Sequence, residues 1–171
     1  MLALSAHTSG FLVAFLNERV ANLHHSIRLR DDDGTVALAS FIGRYVELAP
    51  DFITAFEDFL SAADISGEIA QQIKAAREFL GAPLEIVSLE EGLEANMYQA
   101  YLAHRLLEEL NDVLKISYNC PIIPIDMIRS NLIVHHIIGE PFANQIDGAI
   151  QLLNKKLISA IARDASLERK I

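Results

Sequence analysis

Between Pro124 and Gly139 the chain carries Ile125, Met127, Ile128, Leu132, Ile133, Val134, Ile137 and Ile138. Wound as a helix at about 100° per residue, these side chains point in nearly every direction. A helix that is apolar all round must be covered by other elements. The rest of the chain therefore has to supply a shell around residues 124–138.

The remaining segments supply it with helices. Leu12, Leu16, Val20, Leu23 and Ile27 recur at helical spacing and predict a helix from Ser9 to about Arg30. Asp31-Asp32-Asp33-Gly34 ends it. Three adjacent Asp residues invite a calcium loop, but the fifth and sixth positions from Asp31 are Thr35 and Val36, where a calcium loop needs an acidic or amide group and then glycine. The run reads as a turn whose acids face the next helix dipole. A helix through Leu38, Phe41, Ile42, Tyr45 and Val46 follows, and Pro50 is expected to interrupt it. Phe52, Phe56, Phe59 and Leu60 mark a further helical stretch, and a Phe stripe at this spacing reads as core.

Ser66 is placed to open a helix through Ile69, Ile73, Ala76 and Leu80, closed by Gly81 and Pro83. Ser88 and Glu91 have the spacing of a capping box at the head of a long helix reaching about Ile116. Residues 119–124 form a connection, its two prolines incompatible with helix. Gly139 and Pro141 end the 124–138 helix, and Pro141 suits the first turn of a last helix. Phe142, Ile146, Ala149, Leu153, Leu157 and Ile161 are its expected apolar stripe. No stretch alternates strictly between apolar and polar. The expected fold is all-α: one domain over residues 1–171, an irregular bundle of about six helices with the helix near 124–138 at its centre.

Composition narrows the function classes. Hydrophobic residues make up 51%, charged residues 22%, and mean hydropathy is +0.26, values foreign to a disordered chain. The net charge of −9 repels a phosphate backbone, so no nucleic-acid partner is expected. Lys155, Lys156, Arg163, Arg169 and Lys170 form the one locally basic stretch, diluted by Asp164 and Glu168, and read as a solvated face. Cys120 stands alone and cannot form an internal disulfide, which suits a reducing cytoplasm. No apolar run approaches the ~20 residues that span a bilayer, so no membrane partner is expected. The Phe11–Leu16 patch lacks the preceding positive charge of a signal peptide and reads as a buried helix face.

Signatures of nucleotide, hydrolase and metalloprotease sites are absent: no GxGxxG, no P-loop, no GxSxG, no HExxH, no CxxC. No cofactor is expected, and no residue is assigned a catalytic role. Polar side chains in apolar helices hold the remaining information. Asn131 and His135 share one face of the 124–138 helix; Arg129, Leu132 and His136 lie on another side. Burying such groups without partners costs on the order of 2–7 kcal/mol, so each needs a partner in the protomer, at an interface or in a ligand. Tyr98, Tyr101 and His104 on the preceding helix join Asn131 and His135 as candidates to line a ligand pocket.

His104 with Glu108, and His136 with Glu140, repeat an i,i+4 spacing that forms half of a carboxylate-bridged metal site in helical bundles. The Glu-x-x-His motif of such sites is missing. Helix geometry puts His104 at the edge of an apolar arc running from Leu93 to Leu114, and Glu108 in the polar arc with Lys115 and Tyr101. Glu140 falls between Gly139 and Pro141, past the helix end. No metal is therefore expected.

Three functions remain. The leading one is a non-enzymatic helical protein, regulatory or adaptor in role, that works by self-association, most simply as a homodimer, and through a protein partner. The second is a helical bundle binding a small ligand among Tyr98, Tyr101, His104, Asn131 and His135. The third is a metal-binding bundle using the His/Glu pairs. A cavity against the 124–138 helix would favour the second.

Overall fold

A computed structural model describes residues 16–17, 34–65, 67–81, 93–118 and 127–168. They form five helices: α1 (Gly34–Ala62), α2 (Glu68–Gly81), α3 (Leu93–Tyr118), α4 (Met127–Ile138) and α5 (Phe142–Glu168), with no strand among the described residues. The all-α expectation holds. Most of the helix expected over 9–30 lies outside the described residues; Leu16 is helical and fully buried. Ser66, the Ser88–Glu91 box and Cys120 also lie outside them.

Pro50 does not divide the second predicted helix. It sits inside the continuous α1, on its exposed side. Proline removes one backbone hydrogen bond, but Ala49 and Ile53 on either side are fully buried and hold the helix to the core. The helix ends at a Schellman motif, in which Ile65 N–H reaches Leu60 O at 2.9 Å and Asp64 N–H reaches Ser61 O at 3.3 Å. Asp64 takes the left-handed position, φ 52°, that glycine usually fills. Gly139 ends α4 as expected, at φ 81°, with its N–H on His135 O at 2.9 Å.

The central member is α3, which packs against α1, α2, α4 and α5. This corrects the expectation that the 124–138 helix is the covered one. One side of α4 faces α3 and α5, burying Asn131, Val134, Ile137 and Ile138, while Ile128 and Leu132 remain 60% and 50% exposed. A helical wheel counts apolar side chains without saying which of them find a neighbour. On α5 the buried line is Ala143, Ile146 and Ile150, and Ala149 is exposed.

Two apolar clusters share α3. One joins Leu38, Ile42 and Ala49 of α1 to Met97 and Ala100 of α3, Ile137 of α4 and Ile150 of α5. The other joins Ile53, Phe56 and Leu60 to Ile69 and Ile73 of α2 and to Leu106, Leu107, Leu110 and Leu114 of α3. Each fully buried Leu, Ile or Phe side chain stabilises the fold by roughly 1.5–3 kcal/mol.

Candidate functional site

Several polar residues of α3 point inward. Tyr101 and His104 are 1% and 2% exposed, and the Arg105 and Glu108 side chains 15% each. Their spacing keeps Tyr101, Arg105 and Glu108 on one face, and that face meets α4 and α5. Tyr101 and Glu108, expected in a solvated polar arc, thus lie in an internal seam under α4 and α5, while Lys115 of the same arc is exposed as expected.

Arg105 organises the seam. Its Nη1 is 2.6 Å from Glu108 Oε2, its Nη2 3.0 Å from Glu109 Oε1, and its Nε 3.3 Å from Asp147 Oδ1. Glu108 also accepts a hydrogen bond from Asn131 Nδ2, and Asn131 Oδ1 accepts the Tyr45 hydroxyl at 2.6 Å. Asp147 accepts the Tyr101 hydroxyl at 2.9 Å and has His135 Nδ1 at 3.1 Å from its other oxygen. A carboxylate only accepts, so His135 carries its proton on Nδ1; the same nitrogen is 3.0 Å from Tyr101 Oη. Asn154 donates to Glu109 at 2.7 Å. Four helices are wired together, from Tyr45 on α1 to Asp147 and Asn154 on α5.

Three carboxylates surround a single guanidinium. Burial pulls the Arg105 pKa down, but the Glu108 hydrogen bond and the charges of Glu108, Asp147 and Glu109 outweigh it and hold Arg105 above its ordinary value. Burial, with the Asp147 hydrogen bond and charge, raises the Tyr101 hydroxyl. Burial, with Tyr101 and Glu108 adding, raises the Tyr45 hydroxyl well above 10.0. Both phenols stay protonated and act as donors. His104 moves the other way: burial lowers it to about 4, against the opposing effect of its Tyr45 backbone hydrogen bond. Its Nε2 lies 2.8 Å from the Tyr45 carbonyl oxygen, which fixes the proton on Nε2.

Next to this seam is a cavity of about 110 Å³, partly open to solvent. Phe41, Arg44, Tyr45, Leu48 and Phe52 line it from α1, His104 from α3, and Met127, Ser130 and Asn131 from α4. The His104 ring packs 4.1 Å from Tyr45 and 5.5 Å, edge-on, from Phe52, centroid to centroid. Phe41 stands 6.1 Å from Tyr45. The wall is an aromatic cluster backed by the wired polar groups.

Of the five pocket candidates, His104 and Asn131 line the cavity. Tyr101 and His135 meet at Asp147 instead, and Tyr98 packs edge-on against Phe142 at 5.5 Å. Asn131 and His135 share a face but belong to opposite arms of the network, joined through Glu108, Arg105 and Asp147. The His/Glu pairs do not converge. His104 is committed to a carbonyl, Glu108 to Arg105 and Asn131, His136 lies ring-perpendicular to His135, and Glu140 is exposed. Among the described residues no group of three His, Cys, Asp or Glu is placed to hold a metal ion. Also among them, no helix is long and apolar enough to cross a membrane.

Sequence reasoning missed Tyr45, Arg105, Glu109 and Asp147. A signal for Asp147 exists: it shares the line of Ala143 and Ile150 on α5, a carboxylate within an apolar stripe. Tyr45 carried none, since a Tyr on an apolar helix face is ordinary core. Comparison with known proteins finds no match: no family model, no curated protein and no solved structure matches the chain.

Proposed function

We propose that this chain is a non-enzymatic helical bundle that binds a small, mainly apolar ligand between α1, α3 and α4. The observation that carries this reading is the cavity lined by Met127, Ser130 and Asn131, on the helix where a ligand pocket was expected. Its size suits a body of a few carbon atoms, since apolar cavities of about 150 Å³ accept benzene. Its polar backing is already hydrogen-bonded, so a ligand there need not replace water on Tyr45 or Asn131. The test is titration with 3-methylbutan-1-ol, a neutral probe, followed by the Met127 methyl resonance. Saturable movement is expected; a resonance unmoved at high probe concentration defeats the reading.

A second reading, self-association as a homodimer, draws on Ile128 and Leu132, one turn apart and both half or more exposed on α4. Closed two-fold dimers are the commonest assembly. A solution mass near twice 18.9 kDa, reduced by Leu132→Glu, supports it, and an 18.9 kDa particle at micromolar concentration rejects it. In both readings the protein acts in the cytoplasm, without nucleic acid; the support is the lone Cys120 and the charge of −9.

A further inference from the structure

The cavity's lining holds spare hydrogen-bonding capacity. Tyr45 and Asn131 satisfy each other, and His104 Nε2 is committed to a carbonyl. Two lining groups are not so committed. The Ser130 hydroxyl has no hydrogen-bond partner among the described residues, and Arg44 has one distant ion pair, 3.9 Å to Glu47. The Arg44 side chain is 70% exposed, which places it at the mouth, and Glu47 is 50% exposed. A pair that open and that long contributes little, so a ligand can displace it at small cost. Both unspent groups can donate, and one is a cation. The other walls, Phe41, Leu48, Phe52 and Met127, are apolar.

We propose that the ligand is a small monocarboxylate with an apolar tail of about four or five carbons. It rests on the ligand-binding reading above. The tail fills the cavity. The carboxylate stays at the mouth, where the Arg44 guanidinium meets it with paired N–H donors and Ser130 adds a hydroxyl. One guanidinium suits one carboxylate charge. The net charge of −9 does not bar an anion, because charges beyond about 8–10 Å are screened at physiological ionic strength.

The test compares 3-methylbutanoate with 3-methylbutan-1-ol, its neutral counterpart, on the full chain by Met127 methyl titration. The acid is expected to bind about tenfold more tightly than the alcohol at low salt, the margin of one charge-assisted contact. Added salt should narrow the gap. Arg44→Gln, an exposed position whose change leaves the core intact, should bring the two affinities together while the alcohol still binds. Ser130→Ala should weaken the acid more than the alcohol. If both probes bind equally to the wild type, or if Arg44→Gln leaves the acid's advantage in place, the carboxylate assignment is wrong and the pocket stands. If neither probe moves the resonance, both the assignment and the ligand-binding reading fall.

Discussion

Two arginines of this bundle make opposite cases. Arg77 on α2 holds Glu57 with both ends of its fork, at 2.7 and 2.5 Å, and reaches Thr54 Oγ1 at 3.2 Å. Arg105 makes longer contacts on average, at 2.6, 3.0 and 3.3 Å, to three carboxylates. Distance alone would rank Arg77 first. Exposure reverses the order: the Arg77 and Glu57 side chains are 47% and 40% exposed, and those of Arg105 and Glu108 15% each. Near water a lost pair is replaced by hydration. In the seam, a lost guanidinium leaves three partly buried carboxylates without their cation, held only by Asn131, Asn154, Tyr101 and His135. The environment of a pair sets the cost of breaking it.

The largest effect expected from this contrast is at Arg105. Arg105→Met keeps the stem and removes the charge, leaving Glu108, Glu109 and Asp147 facing one another. The loss should be about 3–5 kcal/mol by urea denaturation, in the range for breaking one partner of a buried pair. A loss under about 1 kcal/mol would mean the seam is wet enough to behave like the Arg77 site.

Acid sharpens the comparison through His104, which lies in the buried region. Its folded pKa of about 4 lies below the ordinary 6.5. Above pH 6.5 the ring is neutral in both folded and unfolded chains. As pH falls from 6.5 to 4 the unfolded chain takes up the proton alone, so stability drops, by about 3 kcal/mol across the window. Below pH 4 both states are protonated and the loss is complete. His104→Gln retains an N–H for the Tyr45 carbonyl and does not titrate. Stability curves of the two proteins should therefore converge as pH falls through this window. Parallel curves would place His104 in contact with water.

Tyr45→Phe tests the far arm of the seam. It removes the donor to Asn131 Oδ1 and leaves that oxygen buried, at a cost of roughly 1–3 kcal/mol. A double-mutant cycle with Asn131→Leu should show coupling, because the two polar atoms satisfy each other. Additive losses would show that water serves Asn131 equally well.

Part of this was legible in the sequence, and the division has physical causes. Helix type, the left-handed Gly139 stop and the inward face of Asn131 and His135 follow from local spacing and backbone chemistry. The Pro50 break and the central position of 124–138 were misread because both depend on cover. A proline persists inside a helix when the flanking faces are buried, and an apolar helix side remains exposed when nothing packs on it. The cavity was half visible. His104 and Asn131 are unusual residues in apolar surroundings, whereas Phe41, Leu48 and Phe52 are indistinguishable from core until the gap beside them is seen. Arg105 was overlooked because a charged residue near two glutamates on one helix reads as a solvated ladder. Only the placement of α4 and α5 turns it inward.

The smallest effect belongs to the best-formed pair. Arg77→Ala removes both contacts to Glu57 and the one to Thr54, yet the stability change should stay below about 1 kcal/mol, as for other exposed pairs. Some of that change would come from the lost aliphatic stem and not from charge. Comparison with Arg77→Met, which keeps most of the stem, separates the two. Raising the salt concentration should shrink the wild-type advantage over Arg77→Met, because an exposed pair is screened. The same addition should leave the Arg105→Met deficit mostly intact, since partly buried charges are screened much less. If salt erased both differences alike, the two arginines would share one environment, and the internal seam would have to be treated as surface.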